Sequence, residues 1–213
     1  VSPWHFSYET IAIKLRLSPF KHTGLFPEQA ANWKWFGDLI AEAKREVRVL
    51  NLFGYTGGAS LYAAACGAHV THVDASKPSI QWAKENQRLS GLENAPIRWI
   101  LDDALAFVQR EVRRGLTYDA VIMDPPSFGR DPKGKVFKFE EQVPQLLVLI
   151  KKLLIPQPLF ALINSYAMGY SAEVIKNLLA DILPLDRITC GELHLEEAKS
   201  RRHLPCSVFA RYS

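Results

Sequence analysis

Residues 47–60 read VRVLNLFGYTGGAS, and this stretch decides the fold. Val47, Val49, Leu50 and Leu52 form a short run without a polar face, the pattern of a strand covered on both sides. Gly54, Gly57 and Gly58 follow at once and permit a tight turn into the helical segment SLYAAACGA, 60–68. A second apolar strand, HVTHVD, ends at Asp74. Downstream, KPSIQWAKENQRLSG (77–91) is a helix stopped by Gly91, and IRWIL (97–101) is a strand. The helix DALAFVQREVRR (103–114) and the strand YDAVIMD (118–124) complete another strand–helix–strand unit. The helix 140–154, the strand PLFALIN (158–164) and the helix 171–183 extend the alternation. ITCGELHL (188–195) and SVFARY (207–212) close the chain with no helix between them, as an antiparallel pair does at a sheet edge.

Buried strands alternating with helices predict a doubly wound α/β fold. The expected sheet is seven-stranded and mostly parallel, with an antiparallel edge. Ahead of it, Ile11, Ile13, Leu15 and Leu17 alternate with Lys14 and Arg16, a half-buried strand. Pro27 suits the first turn of a helix spanning 27–46. Residues 1–45 are therefore expected to be an extension packed on the ligand site, and 46–213 the main domain. The opening VSPWHFSYET reads as the interior of a larger protein with a further domain upstream.

Of the 213 residues, 48% are hydrophobic, yet no apolar run approaches the roughly 18 residues that span a bilayer. Three cysteines with no CxxC spacing argue against a disulfide framework or zinc site and for a reducing, cytoplasmic setting. None of the six histidines has metal-ligand spacing, so no metal is expected. A net charge of +4 permits an anionic partner such as RNA without establishing one.

In a doubly wound sheet, ligands bind beyond the carboxyl ends of the strands at the switch point. Three strand ends should meet there. FGYTGGAS offers backbone amides and a helix N-terminus suited to a carboxylate. Asp74, about 20 residues on, can accept from both hydroxyls of a ribose, in NAD as in other nucleosides; with Ser76 it can equally cap the next helix. One carboxylate of the pair Asp102 and Asp103 can accept from an adenine amino group, while Asp103 caps the helix that begins at Ala104. A fourth strand end carries IMDPPSFGR, 122–130. Pro125 and Pro126 stiffen this loop, which can hold Asp124 and the Pro125 carbonyl against a planar nitrogen nucleophile. Phe128 can stack on the same ring. The Pro-Gly-Lys segment 129–138 is expected to be the mobile loop.

NLFGYTGG, VDAS, DDA and DPPSF, in that order and spacing, resemble class I S-adenosylmethionine-dependent methyltransferases, in the branch that includes the large-subunit ribosomal RNA methyltransferases. HTGLFPEQAANW resembles the segment preceding the nucleotide fold in that branch. The resemblance implies S-adenosylmethionine as cofactor. It places Phe53, Gly54, Tyr55, Thr56 and Gly57 at the methionyl part, and Asp74 with Ala75 and Ser76 at the ribose. It sets Asp102, Asp103 and Ala104 by the adenine, and Asp124, Pro125, Pro126 and Phe128 at the acceptor, with Asp124 also among the cofactor-binding residues. Phe26, Glu28 and Gln29 would close over the cofactor. Asn51 departs from the acidic residue many class I enzymes carry there. Tyr166 in INSYAMGY stands where relatives methylating C5 of cytosine carry a cysteine, which favours direct transfer to nitrogen or oxygen. The expected function is methylation of an RNA base, ribosomal RNA favoured. The alternatives are an NAD-dependent oxidoreductase, whose GxGxxG is not matched, and a non-catalytic RNA-binding module. Lys133, Lys135 and Lys138, and Lys199, Arg201, Arg202 and His203, are candidate phosphate contacts. Trp33, Trp35 and Phe36 are expected in the core, and Arg110, Arg113 and Arg114 on a solvated helix end.

Overall fold

A computed structural model describes residues 4–17, 22–130, 136–166 and 169–213. The chain opens with an antiparallel hairpin, β1 (His5–Tyr8) and β2 (Ile11–Lys14), followed by a 3₁₀ turn at Pro27–Gln29 and helix α1 (Ala30–Glu42). The alternating repeat then runs β3 (Arg48–Leu52), α2 (Gly58–Ala65), β4 (His69–Asp74), α3 (Lys77–Leu89), β5 (Ile97–Leu101), α4 (Ala104–Arg113) and β6 (Ala120–Met123). A short hairpin, β7 (Phe128–Arg130) and β8 (Val136–Lys138), leads to α5 (Phe139–Leu153). The chain ends with β9 (Phe160–Ser165), α6 (Ala172–Ala180), β10 (Ile188–Glu196) and β11 (His203–Tyr212).

Seven strands form one sheet in the order β10-β11-β9-β6-β3-β4-β5. The β3, β4, β5, β6 and β9 pairings are parallel, whereas β11 is antiparallel to both β9 and β10. The antiparallel pair expected at the edge is therefore present, with β11 as its reversed member. The order changes direction between β3 and β6, so the carboxyl ends of these two strands define the switch point.

Two cores cover the faces. Leu50, Leu52, Val121, Met123 and Ile163 pack with Phe107, Leu147, Ile150 and Leu179 from α4, α5 and α6. Val49, Ile122, Leu162 and Phe160 pack with Trp33, Phe36, Leu61 and Ile11. Trp33 and Phe36 are thus core residues, as expected, while Trp35 is half-buried against Phe160.

The N-terminal hairpin joins the second face through side chains of α3. The Lys14 amide donates to Asn86 Oδ1 at 2.9 Å, the Ala12 amide to Ser90 Oγ at 2.9 Å, and the Trp82 indole to the Lys14 carbonyl at 2.8 Å. Strand β2 is shorter than its alternation suggests, because Leu17 is exposed. The segment 129–138 contains the β7–β8 hairpin, and residues 131–135, including Lys133 and Lys135, lie outside the described residues. Arg113 and Arg114 are exposed, as expected of a solvated helix end, while Arg110 pairs with Asp102 and Arg114 donates to the buried Glu111 at 3.0 Å. Among the described residues no helix is long and apolar enough to cross a membrane, and no cluster of His, Cys, Asp and Glu could hold a metal.

Candidate functional site

The turn after β3 is shaped by packing beneath it. Gly57 has φ of 89° and serves as the N-cap of α2. A Cβ on Gly54 would lie 2.3 Å from the ring of His72, and one on Gly58 would lie 2.7 Å from Trp33. The glycines are required by close approach of side chains, in addition to any ligand. Phe53 and Tyr55 also have positive φ, 58° and 50°, which costs roughly 1–3 kcal/mol at a non-glycine residue.

A buried polar chain supports the turn. Asn51 Nδ2 donates to Ser60 Oγ at 2.8 Å, and Ser60 lies 2.9 Å from His72 Nδ1. Burial pushes the His72 pKa down to about 3, so the ring is neutral. His72 Nε2 has no hydrogen-bond partner among the described residues, and the ring packs on Trp99 at 4.6 Å.

Asp74, at the end of β4, holds the turn from the other side. Its carboxylate accepts from the Tyr55 amide at 2.8 Å and from the Ser76 amide at 2.8 Å. Burial raises its pKa, and the two amide bonds oppose that rise. Each oxygen accepts one bond there, which leaves lone pairs for hydroxyl donors. Ser76, and not Asp74, caps α3 by accepting from the Ser79 amide. Asp103 caps α4, accepting from the Ala106 amide at 2.9 Å. Asp102 pairs with Arg110, and its amide donates to the Asp74 carbonyl at 3.1 Å, placing the two acidic strand ends side by side. Ala104 is buried in the core under α4.

Across the switch point, a cleft open to solvent is lined by Phe26, Gln29, Phe53, Gly54, Tyr55, Thr56, Asp124 and Asn164. Trp33, Phe36, Ile122 and Leu162 form its apolar inner end. The cleft thus brings together the glycine turn, the FPEQ segment and the carboxylate of DPPSF. Gly57 faces Ala83 and Trp99 instead. Asp74 stands behind the turn, bonded through Tyr55. Pro125 is buried and Pro126 exposed. The backbone of Phe128 begins β7, but its side chain lies outside what the structure describes.

Asp124 accepts from Asn164 Nδ2 at 3.3 Å. Burial pushes its pKa up to about 7, opposed by the Asn164 bond and reinforced by the charge of Glu28. Glu28 is reached through Tyr166, whose hydroxyl donates to Glu28 Oε1 at 2.7 Å and accepts from Gln29 Nε2 at 2.9 Å. Gln29 Oε1 accepts from Asn32 at 2.7 Å, and Asn32 Oδ1 accepts from Arg211 Nε at 2.8 Å. Phe26 packs its ring on Tyr55 and Tyr166, at 5.9 and 5.2 Å. Asn164 and Arg211 did not emerge as site residues from sequence, although INS at the end of an apolar strand placed Asn164 at the correct edge.

The arrangement can hold a nucleoside with an amino-acid tail. Asp74 supplies acceptors for hydroxyls. Helix α2 begins without a side-chain cap, so the amides of its first turn are not taken by a capping side chain and suit a carboxylate. A family model described as S-adenosylmethionine-dependent methyltransferase matches residues 1–180. The chain belongs to this family. Its cofactor is S-adenosylmethionine, which supplies an electrophilic methyl group on a sulfonium. The residues Asp74, Tyr55 and the α2 N-terminus fit that molecule, and the family membership decides between it and NAD.

A solved S-adenosylmethionine-dependent methyltransferase from Agrobacterium tumefaciens is 43% identical, with a TM-score of 0.93, over 99% of this chain and 70% of its own. A ribosomal RNA large subunit methyltransferase K/L from Shewanella loihica is 34% identical over 183 residues, 81% of this chain and 25% of its own length. This methyltransferase chain therefore spans about a quarter of that curated relative. A methyltransferase solved in complex with SAH, 23% identical and with a TM-score of 0.75, shares the fold over 99% of this chain and 56% of its own.

Proposed function

We propose that the protein methylates a base of RNA, with ribosomal RNA favoured, by direct transfer to nitrogen without a cysteine nucleophile. The observation that carries this reading is the placement of Asp124, on a stiff diproline loop, in the same cleft as the glycine turn. Methyl transfer from a sulfonium demands in-line placement more than acid–base help, and a rigid loop opposite a fixed turn supplies it.

Three features favour a base over other acceptors. The cleft mouth carries the aromatic rings of Phe26 and Tyr55, suited to a flat ring. Lys199, Arg201 and Arg202 are exposed at the turn between β10 and β11, where phosphates can be met. The curated relatives carry ribosomal RNA methyltransferase names. Against a covalent route, none of the three cysteines is among the residues lining the cleft. Burial raises the thiol pKa of Cys66, Cys190 and Cys206, and nearby carboxylates add to it, which keeps the nucleophilic thiolate scarce. In this reading residues 1–45 are an extension that supplies one wall of the cofactor site through Phe26, Glu28 and Gln29, residues 46–213 form the catalytic domain, and the setting is cytoplasmic. Asp102 contributes at the adenine.

The test is incubation with labelled cofactor and undermethylated total RNA, followed by identification of the modified nucleoside by mass. Transfer to a base nitrogen is expected, abolished in Asp124→Ala with only a modest loss of cofactor affinity. Unchanged turnover in that variant would refute the role given to Asp124.

A further inference from the structure

Three buried side-chain atoms lack a hydrogen-bond partner among the described residues: His72 Nε2, Ser207 Oγ and Asn164 Oδ1. Of these residues only Asn164 lines the cleft. It ends β9 beside Asp124, is 1% exposed, and is already oriented, since its Nδ2 donates to the Asp124 carboxylate. A buried amide oxygen without a donor is costly, and one that faces an open cleft can be completed by a ligand bound there. The neighbouring cleft residues do not complete it: Gln29 Nε2 donates to Tyr166, and Met123 has no polar hydrogen to give.

We propose that Asn164 is a specificity-determining residue, whose Oδ1 and the Asp124 carboxylate together hold the two N–H groups of an exocyclic amino group on the acceptor base. This rests on the base-methylation reading and narrows it to one chemical class. A hydroxyl or a ring nitrogen carries at most one hydrogen and leaves one of the two acceptors unmet. An amino nitrogen satisfies both while its lone pair stays free. In the transfer that lone pair forms the new N–C bond, the C–S bond electrons leave with the thioether, and nitrogen releases one proton to solvent. Asn164 lies one strand beyond β6 from the glycine turn, which assigns it to the acceptor and not to the methionyl tail.

The test compares wild type with Asn164→Leu, which keeps the branched shape and removes the acceptor, on undermethylated total RNA. Asn164→Ala serves if the leucine variant does not fold. The expected results are a methyl on an exocyclic amino nitrogen, a kcat/KM for RNA lowered about 10- to 100-fold in the variant, and cofactor affinity within about twofold of wild type. Methylation of a ring nitrogen, carbon or ribose oxygen overturns the inference while base or RNA methylation stands. An unchanged kcat/KM, or a loss confined to cofactor binding, overturns it too. If wild type leaves no methylated nucleoside in RNA, the RNA reading fails and this inference falls with it.

Discussion

Replacing Asp124 by asparagine should stabilise the protein at alkaline pH and leave it unchanged at low pH. The carboxyl group is pushed from the ordinary 3.8 up to about 7, first by burial and then by the charge of Glu28, against the opposing bond from Asn164. Below pH 3.8 the group is protonated in both folded and unfolded chains and contributes no difference. As pH rises toward 7 the unfolded chain ionises freely while the folded one resists, so stability is progressively lost across that window. The interval corresponds to about 4 kcal/mol, a large part of the roughly 5–15 kcal/mol that holds a domain together. Asparagine keeps an oxygen that accepts from Asn164 Nδ2 and carries no charge to desolvate. Thermal unfolding of both proteins without cofactor, from about pH 4 to 9, should show curves that coincide at the acid end. They should diverge to a Tm difference of roughly 8–16 °C in favour of the variant above pH 7. A gap that stays constant with pH, or that favours the wild type at pH 8, would show that Asp124 is not desolvated and would remove the reason for placing it inside the cleft.

The same carboxylate should impose a pH profile on catalysis. If its ionised form orients the nucleophile, turnover rises through about pH 7 and levels above it, and initial rates against pH will show the step or its absence. Asp74→Ala should weaken cofactor binding at least tenfold, by removing both the ribose acceptors and the bond that fixes the Tyr55 amide; calorimetric titration measures it. Gly54→Ala places a methyl 2.3 Å from the fully buried His72 ring, and such overpacking costs about 1–3 kcal/mol, to be read from denaturant midpoints. Tyr166→Phe strips the donor from the nearly buried Glu28 and the acceptor from Gln29, a loss of about 1–3 kcal/mol in stability by the same measurement.

The repeat from Val47 to Asn164 was readable because strands covered on both faces cannot hide their apolar runs, and because each run ends at a turn or a carboxylate. What escaped reading falls into two kinds. Strand β1 and the hairpin β7–β8 are short, with β1 largely exposed, so no burial pattern marks them. The β11 strand begins at His203, four residues before the apolar SVFARY, because its exposed first half pairs with β10 without needing an apolar face. The site shows the same division. Residues that close a strand, such as Asp74 and Asp124, were visible from their position. The chain Glu28–Tyr166–Gln29–Asn32–Arg211 was not, since its members lie far apart in sequence and meet only when β11 inserts beside β9. Asp103 was legible as the cap of the helix that follows, and the geometry bears this out, whereas the pairing of Asp102 with Arg110, eight residues on, was not.

The strain in the glycine turn finally bears on why the cleft has the form it does. Phe53 and Tyr55 occupy left-handed backbone positions that glycine would take without strain, so their presence calls for a compensating gain from the rings. Phe53 packs edge-on against Phe137 of β8 at 5.3 Å, linking the turn to the hairpin that continues DPPSF. Tyr55 meets Phe26 on one side and Trp82 of α3 on the other, linking the turn to the N-terminal segment. The two strained residues therefore clamp the cofactor turn to the two other walls of the cleft. Glycine at either position would relax the backbone and release a wall, so the strain is the physical cost of holding cofactor and acceptor surfaces in fixed register.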